Sequence, residues 1–64
     1  MDGIELLLKR NDEERKALIE VIVSGGVSDF ENYKHICGVI RGLDLADEHI
    51  RDLAKRMKDD DDND

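Results

Sequence analysis

His35, Cys37 and Arg41 fall in one short stretch, "HICGVIRG", and side chains of these types perform nucleophilic chemistry when they converge. A neighbouring base lowers the pKa of a thiol and makes it a reactive thiolate. The spacing argues against that use, because residues two apart on a helix point in different directions. No oxyanion-stabilising loop is visible, and a chain of 64 residues has no room for a substrate cleft. The other reading is packing. Cys37 then serves as a small apolar filler, and Gly38 and Gly42 lie one turn apart on one face. A glycine inside a helix costs up to about 1 kcal/mol relative to alanine. Two of them call for a compensating gain, and close approach of another backbone supplies one, by analogy with small-xxx-small contacts. The sequence therefore predicts a packing role here, no catalytic residue and no enzymatic activity.

His49 is the second candidate, in "LADEHIRDL" with Asp47, Glu48 and Asp52 nearby. One reading is a metal site shared across an oligomer interface. The other is a solvated, salt-bridged helix face, with Arg41 pairing Asp44 and Arg51 pairing Asp47. The second is preferred, because Cys37, His35 and His49 with the acids match no strong metal spacing. No metal or other cofactor is expected. The single cysteine excludes an internal disulfide and suits a reducing compartment.

These residues must be positioned by helices. There is no proline, 42% of residues are charged, and apolar residues recur at helical spacing. The sequence predicts an all-α chain: a two-helix antiparallel hairpin over residues 1–58, followed by an acidic tail over 59–64. The first helix is expected over 3–24, the turn over 25–27 and a longer second helix over 28–58. Gly25 and Gly26 end the first helix, and Ser28 with Glu31 matches a capping box that opens the second.

Ile4, Leu7 and Leu8 begin the apolar stripe of the first helix, and Leu18, Val21 and Ile22 resume it. The run "KRNDEERK" between them is entirely polar. It reads as a solvated middle of one continuous helix, although Asn11 with the acids after it could also cap a separate helix.

The second helix carries a clearer seam. Tyr33, Ile36, Ile40, Leu43, Ile50, Ala54 and Met57 follow steps of three and four, with one gap at Asp47 beside Ala46. Tyr33, Ile36, Cys37, Gly38, Ile40, Gly42 and Leu43 are the expected helix-packing residues. Phe30 and Tyr33 are expected to close the hairpin against Val21, Ile22 and Val23.

At 1.5 Å per residue the second helix spans about 45 Å and the first only about 33 Å. The far end of the second helix is thus left without an intramolecular partner. Ile50, Leu53, Ala54 and Met57 lie there and are the expected contacts to another chain. A chain this short buries little of its surface, so oligomerisation or docking completes the fold.

The net charge is −7, from 17 acidic and 10 basic residues. Asp59, Asp60, Asp61, Asp62 and Asp64 supply most of it, leaving a nearly balanced body. Direct nucleic-acid binding is disfavoured, since affinity for phosphates comes from clustered Lys and Arg. The longest apolar runs are too short for a membrane span or a signal peptide. The acidic tail either solubilises the helix end or docks in a basic groove, where it would imitate nucleic-acid charge.

Tyr33, "G-x-I-x-G-L" at Gly38, Ile40, Gly42 and Leu43, "I-x-D-L" at Ile50, Asp52 and Leu53, and the terminal aspartates together resemble a group of small proteins of tailed bacteriophages. The resemblance covers roughly residues 25–64, and residues 1–24 only in general character. It implies a phage origin and a gene among head and portal genes. The implied function is a multi-copy structural or assembly component of the virion near the portal, connector or head interior, assembled in the host cytoplasm. Its partners would be portal, adaptor or capsid proteins and itself. Two other functions fit the residues: an acidic inhibitor or regulator of a basic host nucleic-acid-handling protein, and a small dimeric antitoxin-like or adaptor hairpin.

Overall fold

The computed structural model describes residues 2–62, with side chains described for 2–58. Two helices form the described chain: α1, Gly3–Val23, of 21 residues, and α2, Phe30–Asp62, of 33 residues. This is the all-helical hairpin the periodicity implies, with the second helix the longer.

The ends of α1 follow from local chemistry. Asp2 sits in extended conformation before the helix, and its carboxylate accepts a hydrogen bond from the Glu5 backbone N–H at 2.8 Å. At the other end Gly25 takes a left-handed backbone, φ 78°. Its N–H donates to the Ile22 carbonyl at 3.2 Å, and the Gly26 N–H donates to the Val21 carbonyl at 2.9 Å. This double bond pattern is the Schellman motif, which satisfies carbonyls that the ending helix leaves free. A Cβ at Gly26 would lie 3.2 Å from the Val21 carbonyl oxygen, so a side chain there would crowd the turn.

The start of α2 differs from expectation by one residue. Asp29, not Ser28, is the cap: its carboxylate accepts from the Asn32 backbone N–H at 2.8 Å and from the Asn32 side-chain amide at 3.1 Å. The shift places Glu31 too early to close a capping box. An aspartate caps as well as a serine and adds a negative charge at the positive end of the helix dipole. The far end also differs. The helix continues past Lys58 to Asp62, so the acidic run extends the rod. The side chains of Asp59, Asp60, Asp61 and Asp62, and all of Asp64, lie outside the described residues.

α1 is unbroken through Asn11. The polar run, expected to be solvated, turns Asn11, Asp12 and Arg15 toward α2. These three are half-buried together with Ile4, Leu8, Leu18 and Ile22. Facing them on α2, Ile36, Ile40, Leu43, Asp47, Ile50 and Ala54 are half-buried. The stripe that paused at Asp47 is therefore continuous in space, with a charge at its centre.

The hairpin is a single layer. Its extents are 54 × 21 × 12 Å, and the last is about the diameter of one helix. The radius of gyration is 15.6 Å, against roughly 11 Å for a compact domain of this length. Among the described residues none is buried, because a core needs a second layer to close it. Phe30 and Tyr33 show the consequence. They do not close the hairpin against Val21–Val23 but stand exposed against each other, with ring centroids 6.5 Å apart.

Urea unfolding followed by helical circular dichroism should separate these devices. Gly25→Ala should cost about 1 kcal/mol for the left-handed backbone, and Asp29→Ala about 1 kcal/mol for the lost cap. Ser28→Ala should change little.

Candidate interaction surface

Arg15 projects from the middle of α1 and forks across the seam. Its Nη2 lies 2.5 Å from Asp47 Oδ2, its Nε 2.8 Å from Asp44 Oδ1, and its Nη1 3.1 Å from Asp12 Oδ1 one turn back. The Asn11 side-chain amide donates to the other Asp47 oxygen at 3.0 Å. Arg15 and Asp47 are the sheltered members, with 17% and 14% of their side chains exposed. Lys16 balances Asp12 from outside at 3.0 Å. Asp44 and Asp47 thus pair across the hairpin, not with Arg41 and Arg51 on their own helix as the spacing suggested. A sheltered guanidinium offers a shorter path to each carboxylate than an exposed side chain one turn away.

The electrostatics follow the contacts. The hydrogen bond from Asn11, and then that from Arg15, holds the Asp47 carboxyl below its ordinary 3.8 against the opposing effect of burial. Arg15 is raised, chiefly by its bond to Asp47. At the other end of the seam the neighbouring Cys37 side chain raises the Tyr33 phenol above its ordinary value.

The cross-links set the antiparallel register. With Asn11 opposite Asp47 and Arg15 opposite Asp44, Leu8 comes level with Ile50 and Ile4 with Ala54. Leu18 comes level with Ile40, and Ile22 with Ile36 and Cys37. Ile36, Cys37, Ile40 and Leu43 are half-buried, as packing residues should be. Tyr33, Gly38 and Gly42 are exposed, and a Cβ at either glycine would meet nothing within 4 Å. The close backbone approach expected at the glycines is not made within the hairpin.

The expected contacts to another chain divide in the same way. Ile50 and Ala54 are half-buried on the α1 side, because α1 reaches further along α2 than a simple comparison of lengths suggests. Leu53 and Met57 remain uncovered, at 56% and 51% exposed.

Leu53 and Met57 belong to a longer feature. At 100° per residue, His35, Val39, Gly42, Ala46, Leu53 and Met57 run along one flank of α2, beside the seam. No Asp, Glu, Lys or Arg interrupts them, whereas the opposite flank carries Arg41, Asp44, Glu48, Arg51, Asp52 and Lys55. On α1, Leu7, Arg10, Glu14, Ala17 and Val21 recur at steps of three and four on one flank. Arg15 reaches Asp12 and Asp44 on the charged side of the hairpin, so Leu7–Val21 and Val39–Met57 share the other side. Leu7, Val21 and Val39 are all exposed there. The flank of α2 on this side carries no Asp, Glu, Lys or Arg, while the α1 flank beside it sets Arg10 and Glu14 among Leu7, Ala17 and Val21; Ile19, Val23, Phe30 and Tyr33 are exposed on the more highly charged side.

Sequence reasoning missed this face because it assigned each helix one stripe. The signal was present as a second three-and-four series, offset from the first. It missed Arg15 because a polar run reads as solvent-facing, and it paired Asp47 with Arg51 on its own helix.

Of the residues that could form a reactive thiol, His35 and Arg41 are exposed and Cys37 is half-buried. Among the described residues no pocket is enclosed, and no group of three or more His, Cys, Asp or Glu is placed to hold a metal ion. No described helix is long and apolar enough to cross a membrane. No protein-family model, curated protein or solved structure matches the chain.

Two outcomes check the polar layer. Replacing Arg15 or Asp47 alone by an apolar residue should lower the urea midpoint, because the remaining charge is sheltered without its partner. Replacing both together, Arg15→Met with Asp47→Leu, should recover or exceed the original midpoint. In acid, the contribution of Asp47 should be complete above 3.8 and disappear as pH falls through its lowered folded value. Helix content in an acid titration should show this loss, and Asp47→Asn should remove that component.

Proposed function

We propose that this chain is a small non-enzymatic structural or assembly protein of a tailed bacteriophage, present in several copies near the portal, connector or head interior. The observation that carries the assembly role is the single-layer hairpin: none of its described residues is buried, and Leu7, Val21, Val39, Leu53 and Met57 stand exposed along one side of it. Monomeric soluble proteins rarely leave such a contiguous apolar patch open, and patches of this kind mark protein contacts. The phage setting rests on the resemblance at Tyr33, Gly38, Ile40, Gly42, Leu43, Ile50, Asp52 and Leu53. Portal, adaptor or capsid proteins are the partners this implies, in a particle assembled in the host cytoplasm.

A second reading has its own observation. α2 outruns α1 and continues through Asp62, which would present the acidic run on a rod standing clear of the hairpin. Such a rod suits a basic groove, and hence an inhibitor of a host nucleic-acid-handling protein.

Mass spectrometry of purified particles of the encoding phage distinguishes the two. Peptides of this chain at a fixed copy number per particle are expected. Abundance in infected cells with absence from particles would overturn the structural reading and favour the inhibitor. The inhibitor reading in turn requires that deleting Asp59–Asp64 abolish binding to the basic partner.

A further inference from the structure

We infer that the apolar face is covered by a second copy of this chain, reversed about a two-fold axis, giving an antiparallel four-helix dimer. The inference deepens the assembly reading by naming the first partner, and it rests on that reading only for its biological setting.

The face complements itself when reversed. Arg10 and Glu14, one turn apart on α1, are the only charged residues on its apolar flank, and neither enters an ion pair among the described residues. A two-fold axis perpendicular to the helices, at the level of Asp12 and Asp47, sets Arg10 of each copy against Glu14 of the other. The same axis sets Leu7 against Ala17 and Leu53 against Gly42. In these pairs a large side chain meets a small one, and each charge meets its opposite. Gly42 is the socket this requires: a Cβ there meets nothing within 4 Å, so a neighbouring leucine has room to enter. A copy packed parallel would instead bring Arg10 to the level of His49 and leave Glu14 beside Ala46, with neither charge answered. A face meant for a strongly charged partner would carry one sign, and this one carries one of each.

The area suffices. The paired region is about 31 Å long by the helical rise and 21 Å wide, a footprint on the order of 650 Å² before side-chain relief. A stable complex buries about 800 Å² per partner, so one face of the hairpin is close to a full interface.

Sedimentation equilibrium of the full chain tests this, with charge reversals that leave the hairpin seam untouched. The wild type should be a dimer. Arg10→Glu and Glu14→Arg should each weaken self-association, roughly three- to ten-fold for two exposed contacts turned repulsive. The two variants mixed should form a heterodimer tighter than either alone, since one then presents two acids and the other two bases. Gly42→Leu should fill the socket and yield a monomer that keeps its helical circular dichroism.

A helical monomer at high micromolar concentration would overturn the inference, and so would a dimer indifferent to these substitutions. A monomer that is nonetheless found in particles would sink the dimer and spare the assembly role. A dimer absent from particles would do the reverse.

Discussion

The register of the hairpin depends on the contact between Arg15 and Asp47. Both charges are sheltered in the seam, and charges withdrawn from water are tolerated only with partners in good geometry. Asn11 and Asp44 complete those partners. Apolar side chains alone would let two amphipathic helices slide by a turn with little loss, since any leucine fits against any isoleucine roughly as well. The arginine and its aspartates match in one register only. That register brings Leu8 level with Ile50 and Leu18 level with Ile40, and it determines which surfaces stay open.

The open surfaces follow from the layer count. Two helices can shield one stripe each, and this chain has more than one stripe on each. The seam uses Ile4, Leu8, Leu18 and Ile22 against Ile36, Ile40, Leu43, Ile50 and Ala54. The second series, Leu7 to Val21 and Val39 to Met57, has nothing to pack on inside the chain. Because the Arg15 fork draws Asp12 and Asp44 to one side, the hairpin separates into a more highly charged face and a less charged one.

Much of the architecture could be read locally. Gly25 and Gly26 declared the turn through the left-handed backbone that a helix end needs, and the extent of α1 followed to within a residue. The apolar steps along α2 were legible for the same reason: periodicity is a property of neighbours. The capping residue was ambiguous, because Ser28 and Asp29 both cap well and only the path of the chain chose between them. The glycines misled. Gly38 and Gly42 suggested a close helix contact, yet their face is turned from α1, and sequence spacing does not say which of two faces the partner helix will take.

The sequence by itself determined that this protein is helical, that it bends once at Gly25–Gly26, and that two helices of unequal length must pair. These are consequences of backbone propensity and of periodicity within a turn or two. Only the tertiary structure decided that Arg15 would cross to Asp44 and Asp47, that the polar middle of α1 would face inward, and that the gap at Asp47 would be filled by charge. Those outcomes join residues some thirty positions apart, and no local rule ranks such a pair above the nearer ones at one helical turn. The pairing of the two helices, once made, left Gly42 and Leu53 in the open.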